Sequence, residues 1–271
     1  YNGKFTIGLL ITFSTYFSQV QSGILYFLNL GSSYQNTRVS SQRIYDILSK
    51  SKESSGHKMF SPPLSISCKK LSFAFSDEKR LLYENLSFSL QPGKIYGLAG
   101  KNGAGKTTFI NILLGLYNDV IPRNEISFNG IDIHDIDLHW LREKISYVSQ
   151  ESTIVPATYR DNLLLFLPEG DFPSKLNIDK IISLLNVKKL SLSDFIVPSS
   201  LSGGEARTLC LLRSFLKNSD FLILDEPDAS LDQESCSRLV KYLQQIKFQK
   251  IILLVSHNPV FLNCCDEVIR L

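Results

Sequence analysis

The stretch that decides the fold is Gly100–Thr108, with the sequence Gly-Lys-Asn-Gly-Ala-Gly-Lys-Thr-Thr. An apolar run at 94–99 before it predicts a short buried strand, and another at 109–114 after it predicts a buried helix. The order strand, glycine loop, helix is typical of a phosphate-binding loop, because backbone N–H groups and a helix N-terminus together attract a polyphosphate. The alternative is a glycine-rich turn that carries a lysine by chance.

Each residue type in this loop has an expected role. The glycines allow the backbone to approach the phosphates, Lys106 supplies a full positive charge, and the Thr107 hydroxyl can bind magnesium. We therefore predict that the whole loop contacts a nucleotide, through Gly100, Lys101, Asn102, Gly103, Ala104, Gly105, Lys106, Thr107 and Thr108.

Composition narrows the class of protein. A chain of 271 residues has room for one or two domains, and its start at Tyr1 indicates a segment of a longer protein. A net charge of +3, with the basic residues scattered, does not favour a nucleic-acid partner. The 5 cysteines form no Cys-x-x-Cys pair, and their odd number favours a reducing cytoplasm over a disulfide scaffold.

The N-terminal stretch lacks charge from residue 5 to residue 37, between Lys4 and Arg38. A helix of that length would measure about 50 Å, which exceeds the roughly 30 Å hydrocarbon core of a bilayer. One face is apolar, and the other carries serine, threonine and glutamine and should therefore meet other helices or a watery cavity. We predict a membrane-spanning helix with a cytoplasmic extension over 1–37. The alternatives are a buried helix of a soluble protein and a helix on the membrane surface.

Basic residues follow this stretch and place its C-terminal side in the cytoplasm, namely Arg38, Arg43, Lys50 and Lys52. A helix is predicted at 40–48, and the polar, serine-rich segment at 49–63 reads as a linker.

Beyond the linker, strands and helices alternate, which predicts a mainly parallel sheet. The predicted strands are 66–75, 86–90, 94–99, 125–128, 145–149, 221–224 and 251–255. The predicted helices are 138–143, 158–166, 178–185, 203–217 and 233–247.

Two carboxylates, Asp225 and Glu226, follow the apolar strand at 221–224. A strand end can deliver Asp225 to a magnesium ion through water, while Glu226 serves as general base beside the attacking water. The alternative is an acidic turn without a function. Similarly, His257 ends the strand at 251–255 at the same predicted edge, and it is a candidate for a hydrogen bond to a γ-phosphate.

The segment Leu201–Glu205, Leu-Ser-Gly-Gly-Glu, precedes a helical run. Ser202 and Glu205 have the spacing of a capping box, so the segment can be explained as a helix start alone. Two glycines just inside a helix are unfavourable by up to about 1 kcal/mol each, however. Close approach of the backbone to a phosphate explains them better.

Together these motifs resemble the nucleotide-binding domain of an ATP-binding cassette (ABC) transporter of the exporter type, over nearly the whole chain. Gly100–Thr108 corresponds to Walker A, Phe221–Glu226 to Walker B and Leu201–Glu205 to the signature motif. The resemblance implies an α/β P-loop cassette with a mainly parallel sheet, an antiparallel β-subdomain and a helical subdomain, preceded by a transmembrane helix. It divides the chain into 1–37 (end of the membrane domain), 38–63 (coupling helix and linker) and 64–271 (nucleotide-binding domain).

The resemblance also implies roles that the pattern does not give. Gln150 corresponds to the glutamine that contacts magnesium, alongside Thr107 and Asp225. Phe75 corresponds to the aromatic residue that stacks on adenine. Asp232, in the segment 230–232, corresponds to the D-loop. The resemblance further implies ATP and Mg²⁺ as cofactors, Glu226, His257 and Lys106 as catalytic residues, and a second subunit whose ATP is covered by Ser202, Gly203 and Gly204.

Glu205 departs from the family, which usually has glutamine there, and Ala206–Thr208 replaces a more basic, glutamine-containing run. The function implied is ATP hydrolysis that drives export of an unidentified substrate by a homo- or heterodimer in the cell membrane, with the nucleotide-binding domain on the cytoplasmic side. Composition favours a bacterial peptide such as a bacteriocin as cargo. The alternatives are a lipid or drug exporter, an importer-type or soluble ABC ATPase acting as a switch, and an unrelated P-loop kinase.

Overall fold

The computed structural model describes residues 6–50, 52–75, 81–165, 167, 191–229 and 231–271. The chain separates into two compact units, residues 1–53 and residues 54–271. The helix predicted at 178–185 lies outside the described residues.

The first unit is built on a single helix of 42 residues, α1 (Ile7–Leu48). Its first turn is capped by Thr6, whose hydroxyl accepts a hydrogen bond from the Leu9 N–H at 3.4 Å. The helix continues through residue 40, where the sequence predicted that a separate helix begins. Serine and threonine hydroxyls along α1 bond to the carbonyl four residues earlier, as Thr37 does to Ser33 at 2.9 Å. These polar side chains are therefore accommodated without a break.

None of the helices in the described part of the chain is both long enough and apolar enough to cross a membrane. The transmembrane helix predicted over 1–37 is therefore not found. The length criterion was met, but serine, threonine, glutamine and asparagine recur among the apolar residues of α1 and lower its hydropathy.

The second unit is organised around the parallel sheet that the sequence predicted. Its strands are β3 (Ile95–Ala99), β6 (Ile145–Val148), β9 (Phe221–Asp225), β10 (Ile251–Val255) and β11 (Glu267–Arg270). They lie in the order β11-β3-β10-β9-β6, and every neighbouring pair is parallel. The edge strand β11 was not predicted, because a run of four residues that carries two charges gives little signal.

An antiparallel sheet joins β1 (Ile66–Phe73), β2 (Tyr83–Leu90), β4 (Ile126–Phe128) and β5 (Ile131–Asp132), in the order β2-β1-β4-β5. This sheet is the antiparallel β-subdomain that the resemblance implied. A short antiparallel pair, β7 (Ala157–Thr158) and β8 (Phe195–Ile196), lies apart from both sheets. The helices are α2 (Lys106–Leu113), α3 (Leu138–Glu143), α4 (Tyr159–Leu164), α5 (Gly203–Leu216), α6 (Gln233–Ile246) and α7 (Pro259–Leu262).

Two buried apolar clusters cover the two faces of the parallel sheet. Because successive side chains of a strand point to opposite faces, β9 contributes Phe221 and Ile223 to one cluster and Leu222 and Leu224 to the other. All five residues of β9 and of β10 are buried. The strands that carry the candidate site are thus held from both sides.

The second unit begins at residue 54, earlier than the predicted boundary at residue 64. Gly56 lies against the backbone of Asp135, where a Cβ atom would be 2.0 Å from the carbonyl carbon. Phe60 is buried and packs edge-on against Trp140, with ring centroids 4.4 Å apart. The second half of the predicted linker is therefore part of the folded unit.

Candidate nucleotide-binding site

The candidate site is a cavity of about 570 Å³ at the carboxyl edge of the parallel sheet. Ligand sites of open α/β sheets form there because loops from several strands converge. Most of the residues predicted from the sequence line it, namely Phe75, Asn102, Gly103, Gly105, Lys106, Thr107, Thr108, Gln150, Asp225 and Glu226, together with Leu82.

The glycine loop takes a backbone conformation that suits glycine. Gly103 and Gly105 have φ of 79° and 91°, in the left-handed region. Gly105 also lies against a neighbouring strand, since the Tyr83 hydroxyl donates a hydrogen bond to its carbonyl. A Cβ atom on Gly105 would come within 2.6 Å of that hydroxyl oxygen and 2.7 Å of Leu82 Cδ2. The last glycine of the loop is therefore required by both backbone angle and space.

Replacing Gly105 with alanine is expected to weaken ATP binding and to lower the melting temperature more than replacing Gly130 does. Gly130 has φ of 77° but open space around it, so alanine there meets only the left-handed strain of about 1–2 kcal/mol. Differential scanning fluorimetry with and without ATP compares the two variants. Equal losses would show that the contact with Tyr83 is unimportant.

Lys106 is held over the loop from which it projects. Its Nζ donates to the carbonyls of Gly100 at 2.9 Å and Lys101 at 3.4 Å, and lies 3.5 Å from His257 Nε2. Within the loop, the Ala104 N–H donates a hydrogen bond to the Lys101 carbonyl at 3.0 Å, which closes a turn. The structure thus brings together the predicted lysine and histidine from two different strand ends.

Asp225 is a buried carboxylate, 6% exposed, that borders the cavity. The Tyr147 hydroxyl donates to its Oδ2 at 3.3 Å. Burial raises the pKa of Asp225 above its usual value, and the hydrogen bond from Tyr147 opposes that shift. Because burial disfavours the charged form of this carboxylate, a nearby cation would stabilise that form.

The residues that line the cavity fit a magnesium ion. Asp225, the Thr107 hydroxyl and the Gln150 side chain border one cavity and supply the oxygen ligands that Mg²⁺ prefers. The described residues contain no group of three or more His, Cys, Asp or Glu side chains arranged for a metal. One carboxylate with phosphate and water oxygens is the usual arrangement for magnesium in nucleotide sites.

Glu226 and Gln150 meet across the cavity, where Gln150 Nε2 donates to Glu226 Oε2 at 3.0 Å. Glu226 has φ of 49°, in the left-handed region, which is unusual for a residue with a side chain. Its N–H bonds to the Val255 carbonyl at 2.7 Å. The carboxylate predicted as the general base thus extends from a strained backbone position.

The signature segment and the D-loop residue do not line this cavity. Ser202 caps α5, and its hydroxyl accepts from the Glu205 N–H at 3.3 Å. The Glu205 carboxylate accepts from the N–H and the hydroxyl of Ser202, both at 2.8 Å, which completes the capping box. Gly203 and Gly204 form the first turn of α5. Asp232 caps α6 through a hydrogen bond from the Ser235 N–H at 2.6 Å, and Ser230 lies outside the described residues.

Replacing Glu205 with glutamine is expected to leave the ATPase rate undiminished and to change stability by less than about 1 kcal/mol. Glutamine also serves as the third residue of a capping box, so the bonds to Ser202 can form. Steady-state phosphate release and thermal unfolding measure both effects, with Glu205→Ala as the variant that cannot form the box. A large loss of rate in Glu205→Gln would show that the negative charge has a function of its own.

Three contacts escaped the sequence reasoning, namely those of Tyr83 with Gly105, of Tyr147 with Asp225, and of the Arg207 guanidinium with the backbone carbonyls of Asp225 and Glu226. Each joins segments that are distant in the chain, and for Tyr83 and Arg207 nothing in the local sequence pattern signals the contact. Tyr147 had the one readable signal, since it lies on the strand that leads to Gln150.

Comparisons with known proteins identify the family of this chain. The family model described as ABC transporter matches residues 83–229. A probable ABC transporter ATP-binding/permease protein of Haemophilus influenzae is 27% identical over 98% of this chain and 48% of its own length. The alpha-hemolysin translocation ATP-binding protein of Escherichia coli is 24% identical over 99% of this chain and 39% of its own.

A solved structure of a bacterial Atm1-family ABC exporter with ATP bound has a TM-score of 0.73 with this chain. The match covers 99% of this chain and 48% of the other at 20% identity, and it shows that the two share a fold. The chain spans about half or less of the length of the relatives it matches.

Proposed function

Because the chain belongs to the ABC transporter family, we propose that it is the ATP-hydrolysing part of an exporter. The observation that carries the proposal is the meeting of Lys106, Gln150, Asp225 and Glu226 around one cavity. A positive charge, an amide and two carboxylates are what binding a nucleoside triphosphate and activating a water require.

In this proposal the polyphosphate of ATP lies along the loop 100–108. Its charge attracts the Lys106 ammonium, which exchanges its contacts with loop carbonyls for phosphate oxygens. Phe75 borders the cavity and is 37% exposed, which leaves aromatic surface for adenine to stack on. His257, beside Lys106, contacts the γ-phosphate.

Thr107, Gln150 and Asp225 would hold magnesium in this site. When bound, the ion neutralises phosphate charge. The Glu226 carboxylate accepts the proton of the attacking water. Gln150 Nε2 donates a hydrogen bond to Oε2 of this carboxylate at 3.0 Å, which leaves Oε1 to face the water. Glu226 and Asp225 thus have separate roles although they are adjacent.

We further propose that the working unit is a dimer. Ser202, Gly203 and Gly204 begin α5 outside the cavity, so each chain has one phosphate loop and one helix start available for a partner. In the dimer, the signature segment of one subunit covers the ATP of the other, and Asp232 lies near the junction. An intact phosphate loop and both carboxylates permit a homodimer. A heterodimer with a different ABC subunit is the alternative.

The proposed location is the cell membrane, with residues 54–271 facing the cytoplasm as the nucleotide-binding domain. The relatives named above as ATP-binding/permease and translocation proteins support this placement. As cargo we propose a peptide or protein, since relatives are named for toxin translocation. The ATP-dependent lipid A-core flippase of Haemophilus influenzae, 28% identical over 89% of this chain and 42% of its own length, makes lipid the competing cargo.

The test uses the full-length protein in inverted membrane vesicles. Magnesium-dependent phosphate release and ATP-dependent accumulation of a labelled peptide are the expected results. Accumulation of lipid in place of peptide would revise the cargo, and hydrolysis without any transport would favour the importer-type or switch ATPase.

A further inference from the structure

Arg207 is a nearly fully buried arginine, 2% exposed, on α5 just after the signature segment. Its guanidinium donates to four backbone carbonyls. Nη1 bonds to Ser149 and, at 3.4 Å, to Gln150, while Nη2 bonds to Asp225 and, at 2.6 Å, to Glu226. One side chain therefore connects α5 to the backbones of both residues that meet at the proposed hydrolytic centre.

The bonds to Asp225 and Glu226 depend on the unusual backbone at Glu226. In an extended strand, consecutive carbonyls point in opposite directions, so a single nitrogen cannot bond to both. The φ of 49° at Glu226 turns the chain, and both carbonyls then face Nη2. A left-handed residue with a side chain costs about 1–3 kcal/mol and persists only where its surroundings hold it. Arg207 contributes to that support, together with the hydrogen bonds of the Glu226 N–H to the Val255 carbonyl at 2.7 Å and of the Ala229 N–H to the Glu226 carbonyl at 3.1 Å.

Stability alone does not account for a charge at this position. Burial lowers the pKa of Arg207, and the nearby Cys210 thiol and the carboxylates of Asp225, Asp228 and Glu226 oppose that shift. Its Nε is buried without a hydrogen-bond partner among the described residues. A buried charge with an unsatisfied donor is poor evidence for stabilisation.

We propose that Arg207 is a positioning residue for hydrolysis, which holds Glu226 and Gln150 in fixed positions relative to each other and to α5. The inference rests on the proposed function, and it identifies Arg207 as the side chain that connects α5 to Gln150 and Glu226. The hydrogen bond between Gln150 Nε2 and Glu226 Oε2 joins the two segments that the guanidinium holds. The Arg207 side chain thus provides a direct route by which a movement of α5, which begins at the signature segment, reaches Glu226.

The test compares Arg207→Met with Arg213→Met in the full-length protein. Arg213 lies on the same helix, is also buried, and donates to the Asn162 carbonyl at 2.7 Å and the Thr153 carbonyl at 3.1 Å, away from the cavity. Arg207→Met is expected to lower kcat about 10- to 100-fold with KM for ATP within about threefold. Arg207→Lys should recover part of kcat, and Arg213→Met should lose thermal stability without the loss in kcat.

A double-mutant cycle adds a measurement that a purely structural role would not move. If Arg207 acts through Gln150 and Glu226, the fold-loss in kcat of the double variant Arg207→Met/Gln150→Ala should be much smaller than the product of the two single-variant losses. Full multiplication of the losses, or equal kcat in the two methionine variants, would overturn the inference and leave the proposed function standing. A wild-type protein without magnesium-dependent hydrolysis would overturn both. If Arg207→Met does not fold, Arg207→Lys in the same cycle decides the question.

Discussion

Replacing Glu226 with glutamine is expected to abolish steady-state ATP hydrolysis while ATP binding persists. A neutral amide cannot accept the proton of the attacking water, and the loss of a positioned general base lowers kcat by about 10²- to 10⁴-fold. The glutamine side chain has nearly the same shape, and its oxygen can still accept the hydrogen bond that Gln150 Nε2 now donates to Glu226. Phosphate release and binding of a fluorescent ATP analogue measure the two effects separately.

The matched control is Glu234→Gln on α6. It makes the same chemical change at an exposed carboxylate that pairs with Arg238 at the helix surface. This variant should hydrolyse ATP at the wild-type rate. Continued phosphate release by Glu226→Gln at that rate would remove Glu226 from the reaction and would assign the water's proton to another acceptor.

Replacing Lys106 with alanine is expected to weaken ATP binding about 10- to 100-fold. The ammonium makes charge-assisted contacts with the polyphosphate, and an interaction of this type contributes about 1.5–3 kcal/mol. The substitution also removes the hydrogen bonds to the Gly100 and Lys101 carbonyls, which hold the loop in the structure. Titration with a fluorescent ATP analogue gives the dissociation constant directly.

Lys94→Ala serves as the control for Lys106→Ala, since it removes one positive charge at the other end of β3. Lys94 is at the surface, where it pairs with Glu267. Its removal should leave ATP affinity within about twofold, because exposed ion pairs contribute little and distant charges are screened. Wild-type affinity in Lys106→Ala would contradict the role of the lysine.

The sequence was informative wherever chemistry follows a local pattern. The loop 100–108 follows β3, the two carboxylates lie at the end of β9, and His257 follows β10. The parallel sheet brings these strand ends together at one edge. Predicting the strands was therefore enough to predict that these residues meet. The capping box at Ser202 and Glu205 is equally local, and it forms as the spacing indicated.

What the sequence did not reveal depends on contacts between distant segments. Arg207 counted only as a departure from the family pattern, because its four carbonyl partners come from two distant segments, 149–150 and 225–226. The contact of Tyr83 with Gly105 likewise spans a strand and a loop. For α1, the prediction was based on the uncharged length, and the described part of the helix is not apolar enough to be found as a membrane span.

The early start of the second unit determines how that unit can be produced in isolation. A recombinant fragment cut at residue 64 would lack Phe60 and so leave the Trp140 ring uncovered, and it would lose the backbone bonds of Gly56 and Lys58 to Ile136 and Asp135. Exposed aromatic surface favours aggregation. A fragment that begins at Ser54 keeps these contacts. We therefore expect it to be less prone to aggregation than a fragment that begins at residue 64.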